Sequence, residues 1–321
     1  QRAGIRKWVN GAFTFTPDGN PLVGPVPGLR NFWAACGCMG GFSQGGAIGK
    51  VLSDWIVEGD PGTDIFGMDV ARYGKFAADD RYLRDTTAQF YARRFVIAYP
   101  NEELPAGRPL KTTPSYAAQK ALGARFGVVW GMESPQYFAT GEPDFVEPPT
   151  LRRSTADRFV AAEVAATRAA AGLLDTGVYA RYEVRGPGAG KWLDHLLASR
   201  LPAVGRIRLA PMLNPAGRLM GDLTVTRLDQ DRYWLVGSYF LQEWHLRWFH
   251  DHLPASGVDI ENLSASWLGF SLSGPQSRAI LASLTTSDVS DRGIPFMGCA
   301  SIDVATMPAV VARLSLSGEL G

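Results

Sequence analysis

Cysteine and histidine are scarce in this sequence, with three and four residues among 321. Two of the cysteines stand together in Cys36-Gly37-Cys38, the count is odd, and no histidines stand at ligand spacing beside them. That excludes a disulfide-stapled secreted domain and a zinc finger, predicts no metal site, and points to a reducing compartment. An excess of charge of one sign is also missing: 32 basic residues face 31 acidic ones, a net charge of +1. Bulk electrostatics therefore implies no polyanion, and nucleic acid is not an expected partner. There is no apolar run long enough to cross a bilayer, and no charged-then-apolar leader. A G-x-G-x-x-G dinucleotide fingerprint is absent too. What is present is enough hydrophobic sequence, 46% of residues, to build a sizeable core, over a length that suits two domains. The chain opens at Gln1 and stops at Gly321 just after an apolar run, as a fragment of a longer chain would.

Hydrophobic periodicity supplies the elements. Asn31 to Cys36 is an apolar run that suits a buried strand, and Gly40-Gly41 follow it. Ile48, Val51, Leu52, Trp55 and Ile56 then fall on one helical face, with Gly59 placed to end the helix. Residues 60–110 are irregular, rich in charge and aromatics, and close on Pro100, Pro105 and Pro109; they read as a connecting segment. A helix is expected from Ser154 to Ala171, a strand at 178–184 and a helix face at Trp192, Leu193, Leu196 and Leu197. From Arg206 an antiparallel meander turns at 214–217 and at 229–231. A helix carrying Trp244, Leu246, Trp248 and Phe249, a strand at 265–272, a helix at 275–284 and a strand at 311–316 complete an α+β pattern with antiparallel sheet.

Few residues carry chemistry on their own. The glycine loop at the mouth of the first helix suits an anionic or electron-rich group, because free backbone N–H groups and the helix dipole converge there; a tight packing turn explains the same glycines equally well. Asp222, in Gly221-Asp222-Leu223-Thr224-Val225, starts a strand, and alternation does not say which face it takes. His245, His250 and His252, interleaved with Glu243 and Asp251, read as a solvated helix face rather than a metal site. Tyr116 and Tyr137 suit either a ligand cleft or a core that satisfies their hydroxyls.

Longer blocks add a resemblance. FTPDGNPLVGPVPGLRNFWAACGCMGGFSQGGAIGKVLSDWIVEGDPGTDIFGMDVARYG (15–74) resembles the C-terminal end of the flavoprotein half of the dimethylglycine and sarcosine dehydrogenase family. TTPSYAAQKALGARFG (112–127), GMESPQYF (131–138), YEVRGPGAGKWLDHLL (182–197), MLNPAGRLMGDLTVTRL (212–228), SGPQSRAIL (273–281) and LSLSGELG (314–321) follow, in order, the glycine-cleavage T-protein half of that family. The resemblance implies an FAD-dependent oxidoreductase remnant at 1–69, a connecting segment at 70–109 and a folate-binding T-protein-like domain at 110–321. It implies that Gly40, Gly41, Phe42 and Ser43 lie beside the flavin of FAD. Asp222 would act on the folate nitrogens during one-carbon transfer, Glu319 would pair with the pterin, and Tyr116 and Tyr137 would line the cleft. The implied substrates are an N-methylated amine and tetrahydrofolate, with an electron-acceptor protein as a partner and the bacterial cytoplasm, ahead of the mitochondrial matrix, as the location. Two other readings stay open: an aminomethyl or methyl transferase without flavin, and a folate-binding module without turnover.

Overall fold

The computed structural model describes residues 4–315 and 318–321. Leu316, the end of the expected strand at 311–316, and Ser317, the start of the Ser317–Gly321 motif, lie outside them. The chain is α+β and divides into two units, residues 1–98 with 104–108, and residues 99–103 with 109–321.

In the first unit β1 (Leu22–Pro25) and β2 (Trp33–Cys36) form an antiparallel pair. α1 (Gly41–Glu58) lays Ile48 and Trp55 into a small core with Val23 and Ile65, and Trp33 meets Trp55 edge to face at 5.8 Å. Gly59 ends α1 at φ 78°, where a glycine carries no steric penalty. Residues 60–98 are more ordered than their composition suggests. Arg72 is buried and donates to Asp18 at 2.8 Å and to the carbonyls of Pro21 and Asn20, each at 2.9 Å. α2 (Asp80–Arg93) begins where the Asp79 side chain accepts the Tyr82 N–H at 2.7 Å, and its charges complement the helix dipole at both ends. Its apolar stripe is weak, so periodicity alone does not reveal it.

The second unit opens with α3 (Tyr116–Ala121) and the hairpin of β3 (Ala124–Val129) and β4 (Met132–Phe138). α4 (Asp157–Ala169), β5 (Gly172–Asp175), β6 (Tyr179–Arg185), α5 (Ala189–Leu196), β7 (Arg206–Leu213), β8 (Leu219–Asp229), β9 (Arg232–Ser238) and α6 (Gln242–Asp251) follow. β10 (Asp259–Asn262), β11 (Phe270–Ser273), α7 (Ser277–Ser283), β12 (Cys299–Val304) and β13 (Met307–Ala312) complete it. The strand expected at 265–272 is thus confined to its last residues and one beyond.

The centre is a five-stranded antiparallel sheet in the order β10-β6-β9-β8-β7. Alternation gives it two different faces. Tyr182, Val184, Leu223, Val225, Tyr233 and Leu235 point to the helical side, where they pack with Trp192 and Leu193 of α5 and Phe249 of α6. The residues between them, Arg181, Glu183, Asp222, Thr224, Thr226, Trp234 and Val236, belong to the outer face, as their cross-strand partners require.

Candidate functional site

Asp222 lies on that outer face. It is exposed, opposite Pro211 of β7, and its carboxylate has no hydrogen-bond or ion-pair partner among the described residues. Leu223 and Val225 are fully buried on the helical side, so the pleat turns Asp222 and Thr224 outward. β8 pairs Thr224 with Val236, which sets Asp222 level with Ser238 at the end of β9, whose own partner on β6 is Tyr179.

Tyr239 follows Ser238 and leads to a cluster that sequence reasoning missed. The Lys111 Nζ donates to the Tyr239 hydroxyl at 3.0 Å and sits 4.9 Å from the centroids of both the Trp130 and Tyr239 rings, which meet at 5.6 Å and 89°. Burial pushes Lys111 down to about 8, so its ammonium titrates much closer to neutrality than a free lysine. Trp130 is carried at the tip of the β3–β4 hairpin with φ 50°, followed by Gly131 at 77°; two left-handed residues in a two-residue loop make a type I′ turn. Nearby on the sheet Arg181 is buried and donates to the carbonyls of Thr176 at 2.7 Å and Tyr179 at 3.1 Å. Burial works to raise the Asp175 carboxyl, but hydrogen bonds from Ser115, the Gly177 N–H, Thr113 and Gln119 outweigh it and hold Asp175 below the usual carboxylate range. A lone lysine before Thr112 and an arginine inside a strand carry no local signal; only the long-range register assembles them.

The other expected residues separate. Glu319 is exposed, on a segment tied to the α7 end by its neighbour Leu320, whose carbonyl accepts from the Gly274 N–H at 2.9 Å and the Ser277 hydroxyl at 3.1 Å. Tyr116 opens α3, half-buried against Phe126 at 4.5 Å. Tyr137 lies in a small core, stacked on Phe159 at 6.0 Å, and its hydroxyl donates to Glu147 at 3.2 Å. Burial and that carboxylate push the phenol up to about 12. No hydrogen bond or ring contact joins Asp222, Glu319, Tyr116 and Tyr137 to one another among the described residues. Tyr137→Phe is therefore expected to cost about 1 kcal/mol of stability through one lost hydrogen bond, with Glu147 still satisfied by Ser154. Melting curves of the two proteins measure the difference, and an unchanged melting temperature would mean that the hydroxyl does not hold this core together.

In the first unit Gly40 caps α1 without a side-chain hydrogen bond, and no acidic residue occupies the first turn. The Ser43 and Gln44 N–H groups both turn back to the Gly40 carbonyl, which leaves those of Gly41 and Phe42 without a partner among the described residues. The Phe42 ring is fully exposed. Behind this turn Ser43, Gln44, Ala47 and Ile48 line one side of a cavity of about 140 Å³, with Val23, Ile65 and Met68 across from them. An open helix N-terminus free of carboxylates accepts an anionic or electron-rich group.

His245 departs from its expectation. It is not on a solvated face but fully buried, because Gln242, His245 and Phe249 form the inward stripe of α6. Two polar residues in that stripe hid it from hydrophobic periodicity. Its Nδ1 lies 3.2 Å from the Tyr182 hydroxyl, its Nε2 has no partner among the described residues, and burial pushes it down to about 4.

Comparison with known proteins agrees with this architecture. The model of the GCVT N-terminal domain matches residues 115–321, and that of the FAD dependent oxidoreductase central domain matches residues 58–113. The chain is 32% identical to the mitochondrial dimethylglycine dehydrogenase of Homo sapiens over 323 residues, and 30% identical to the mitochondrial sarcosine dehydrogenase of Homo sapiens over 367. Both alignments take in 100% of this chain but only 37% and 40% of those proteins. The glycine cleavage system aminomethyltransferase T of Bartonella henselae, at 24% identity and a TM-score of 0.53 over 65% of this chain and 52% of its own, shares the fold. The chain therefore belongs to the family that joins a GCVT N-terminal domain to an FAD dependent oxidoreductase, that of the dimethylglycine and sarcosine dehydrogenases. Among the described residues no helix is long and apolar enough to cross a membrane.

Proposed function

We propose that this chain is part of an enzyme that demethylates an N-methylated glycine of the dimethylglycine or sarcosine type and hands the one-carbon unit to tetrahydrofolate. The observation that carries the reading is Asp222: an exposed, unpaired carboxylate on the outer sheet face, at the motif position where the resemblance implies a proton acceptor. A carboxylate there takes the proton from the folate nitrogen as it attacks, and its charge stabilises the cationic one-carbon unit. Glu319 offers two acceptor oxygens to the pterin edge. Gly40, Gly41, Phe42 and Ser43 form the helix mouth that would hold FAD, which would supply hydride acceptance from the amine, and the free N–H groups of Gly41 and Phe42 would favour negative charge there. The domains we propose are the flavin-side remnant at 1–69, the connection at 70–109 and the folate domain at 110–321, working in the cytoplasm with an electron-transfer protein or oxygen as the final acceptor.

The test uses the full-length enzyme with dimethylglycine or sarcosine labelled in the N-methyl group. Label should leave as formaldehyde without tetrahydrofolate and as methylenetetrahydrofolate with it. A label distribution indifferent to tetrahydrofolate would remove the folate half of the reading.

A further inference from the structure

We propose that α6 is the positioning element for Asp222, acting through Trp244 and His245 on the two residues that precede it; the proposal rests on the reading of Asp222 given above. The β7–β8 ladder slips at this point: Met212 pairs with Gly221 and Leu213 with Leu219, so Met220 is bulged out with no partner on β7. A bulge bends its strand and re-aims the side chains beside it. The Met220 carbonyl is taken up by α6 instead, through the Trp244 Nε1–H at 3.0 Å.

The next residue of α6 holds the next residue of β8. A Cβ placed on Gly221 would stand 3.1 Å from His245 Nε2, and one on Gly237 of β9 3.1 Å from His245 Cε1. The imidazole thus fills a niche made by two glycines on adjacent strands, directly behind the backbone of Asp222. Tyr182 of β6 fixes the ring from one side at Nδ1, and Phe249, one helical turn on, stacks near it at 6.1 Å and 28°. Trp244 and His245 are consecutive on a helix, so the bulge and the strand behind the carboxylate are held by one rigid body. Asp222 has no side-chain partner of its own among the described residues to fix it; its aim comes from the backbone beneath it.

Trp244→Phe in the full-length enzyme tests this, because it keeps an aromatic ring and removes the N–H. The readout is the fraction of oxidised methyl groups captured by tetrahydrofolate, normalised to total amine oxidised. The variant should lower capture about fivefold, the weight of one hydrogen bond, with the tetrahydrofolate KM within about twofold. In an Asp222→Asn background Trp244→Phe should lower capture no further, since a positioning residue has nothing left to position. Gly221→Ala gives a second arm: its new Cβ meets the imidazole and lowers capture with the wild-type Asp222, but no further in the Asp222→Asn background. Full capture in Trp244→Phe, or additive losses in the double variant, overturns the proposal while Asp222→Asn still fails to capture. An inert Asp222→Asn overturns the reading of Asp222 and this proposal with it.

Discussion

Asp222→Asn in the full-length enzyme should cut formation of methylenetetrahydrofolate about a hundredfold, the usual weight of a positioned proton acceptor, and release formaldehyde in its place. The substitution keeps the size of the side chain and removes its charge and basicity. Because the carboxylate is exposed and unpaired among the described residues, nothing in the fold depends on it, and stability should change by no more than about 0.5 kcal/mol. Tetrahydrofolate affinity should fall less than turnover, since the pterin contact proposed for Glu319 is untouched. Both products are measured with and without tetrahydrofolate, alongside a melting curve. An unchanged product ratio would make Asp222 a solvated strand-end carboxylate.

The second large effect is acid sensitivity of the second unit. His245 titrates near 4 when folded and near 6.5 when free, so between those values the unfolded chain binds a proton that the folded chain does not. The stability is present in full above pH 6.5 and drains away as pH falls toward 4; by linkage the loss is about 3 kcal/mol. Tyr182 does not relieve it, since the other ring nitrogen still lacks a partner among the described residues. Denaturant titrations at pH 7 and 4.5 measure the difference. His245→Gln should be less stable at both pH values but show a clearly smaller difference between them. An equal difference would assign the acid sensitivity to carboxylates.

What could be read without coordinates was what local pattern controls. The stripe from Ile48 to Ile56 and the glycine after it define α1, and the turns at 214–217 and 229–231 define the β7–β9 meander. The misses have physical causes. β10, Asp-Ile-Glu-Asn, is a polar edge strand without an apolar signature. The bulge at Met220 breaks period two just before Asp222, so alternation could not assign its face. His245 becomes a core residue only because Gly221 and Gly237, in two strands, leave room for it. Lys111 and Tyr239 meet across 128 residues of chain, which no window reaches.

The Trp130–Gly131 turn has a cost for anyone seeking a hardier version of this domain. A type I′ turn favours asparagine in the place Trp130 occupies, because both central residues need the left-handed conformation that bulky side chains resist. Engineering by consensus turn rules would choose Trp130→Asn and gain thermal tolerance, yet it would delete one of the two perpendicular rings that lie beside Lys111. At this hairpin durability and the lysine's aromatic setting pull in opposite directions, so a heat-hardened variant should be screened for catalysis before it is kept.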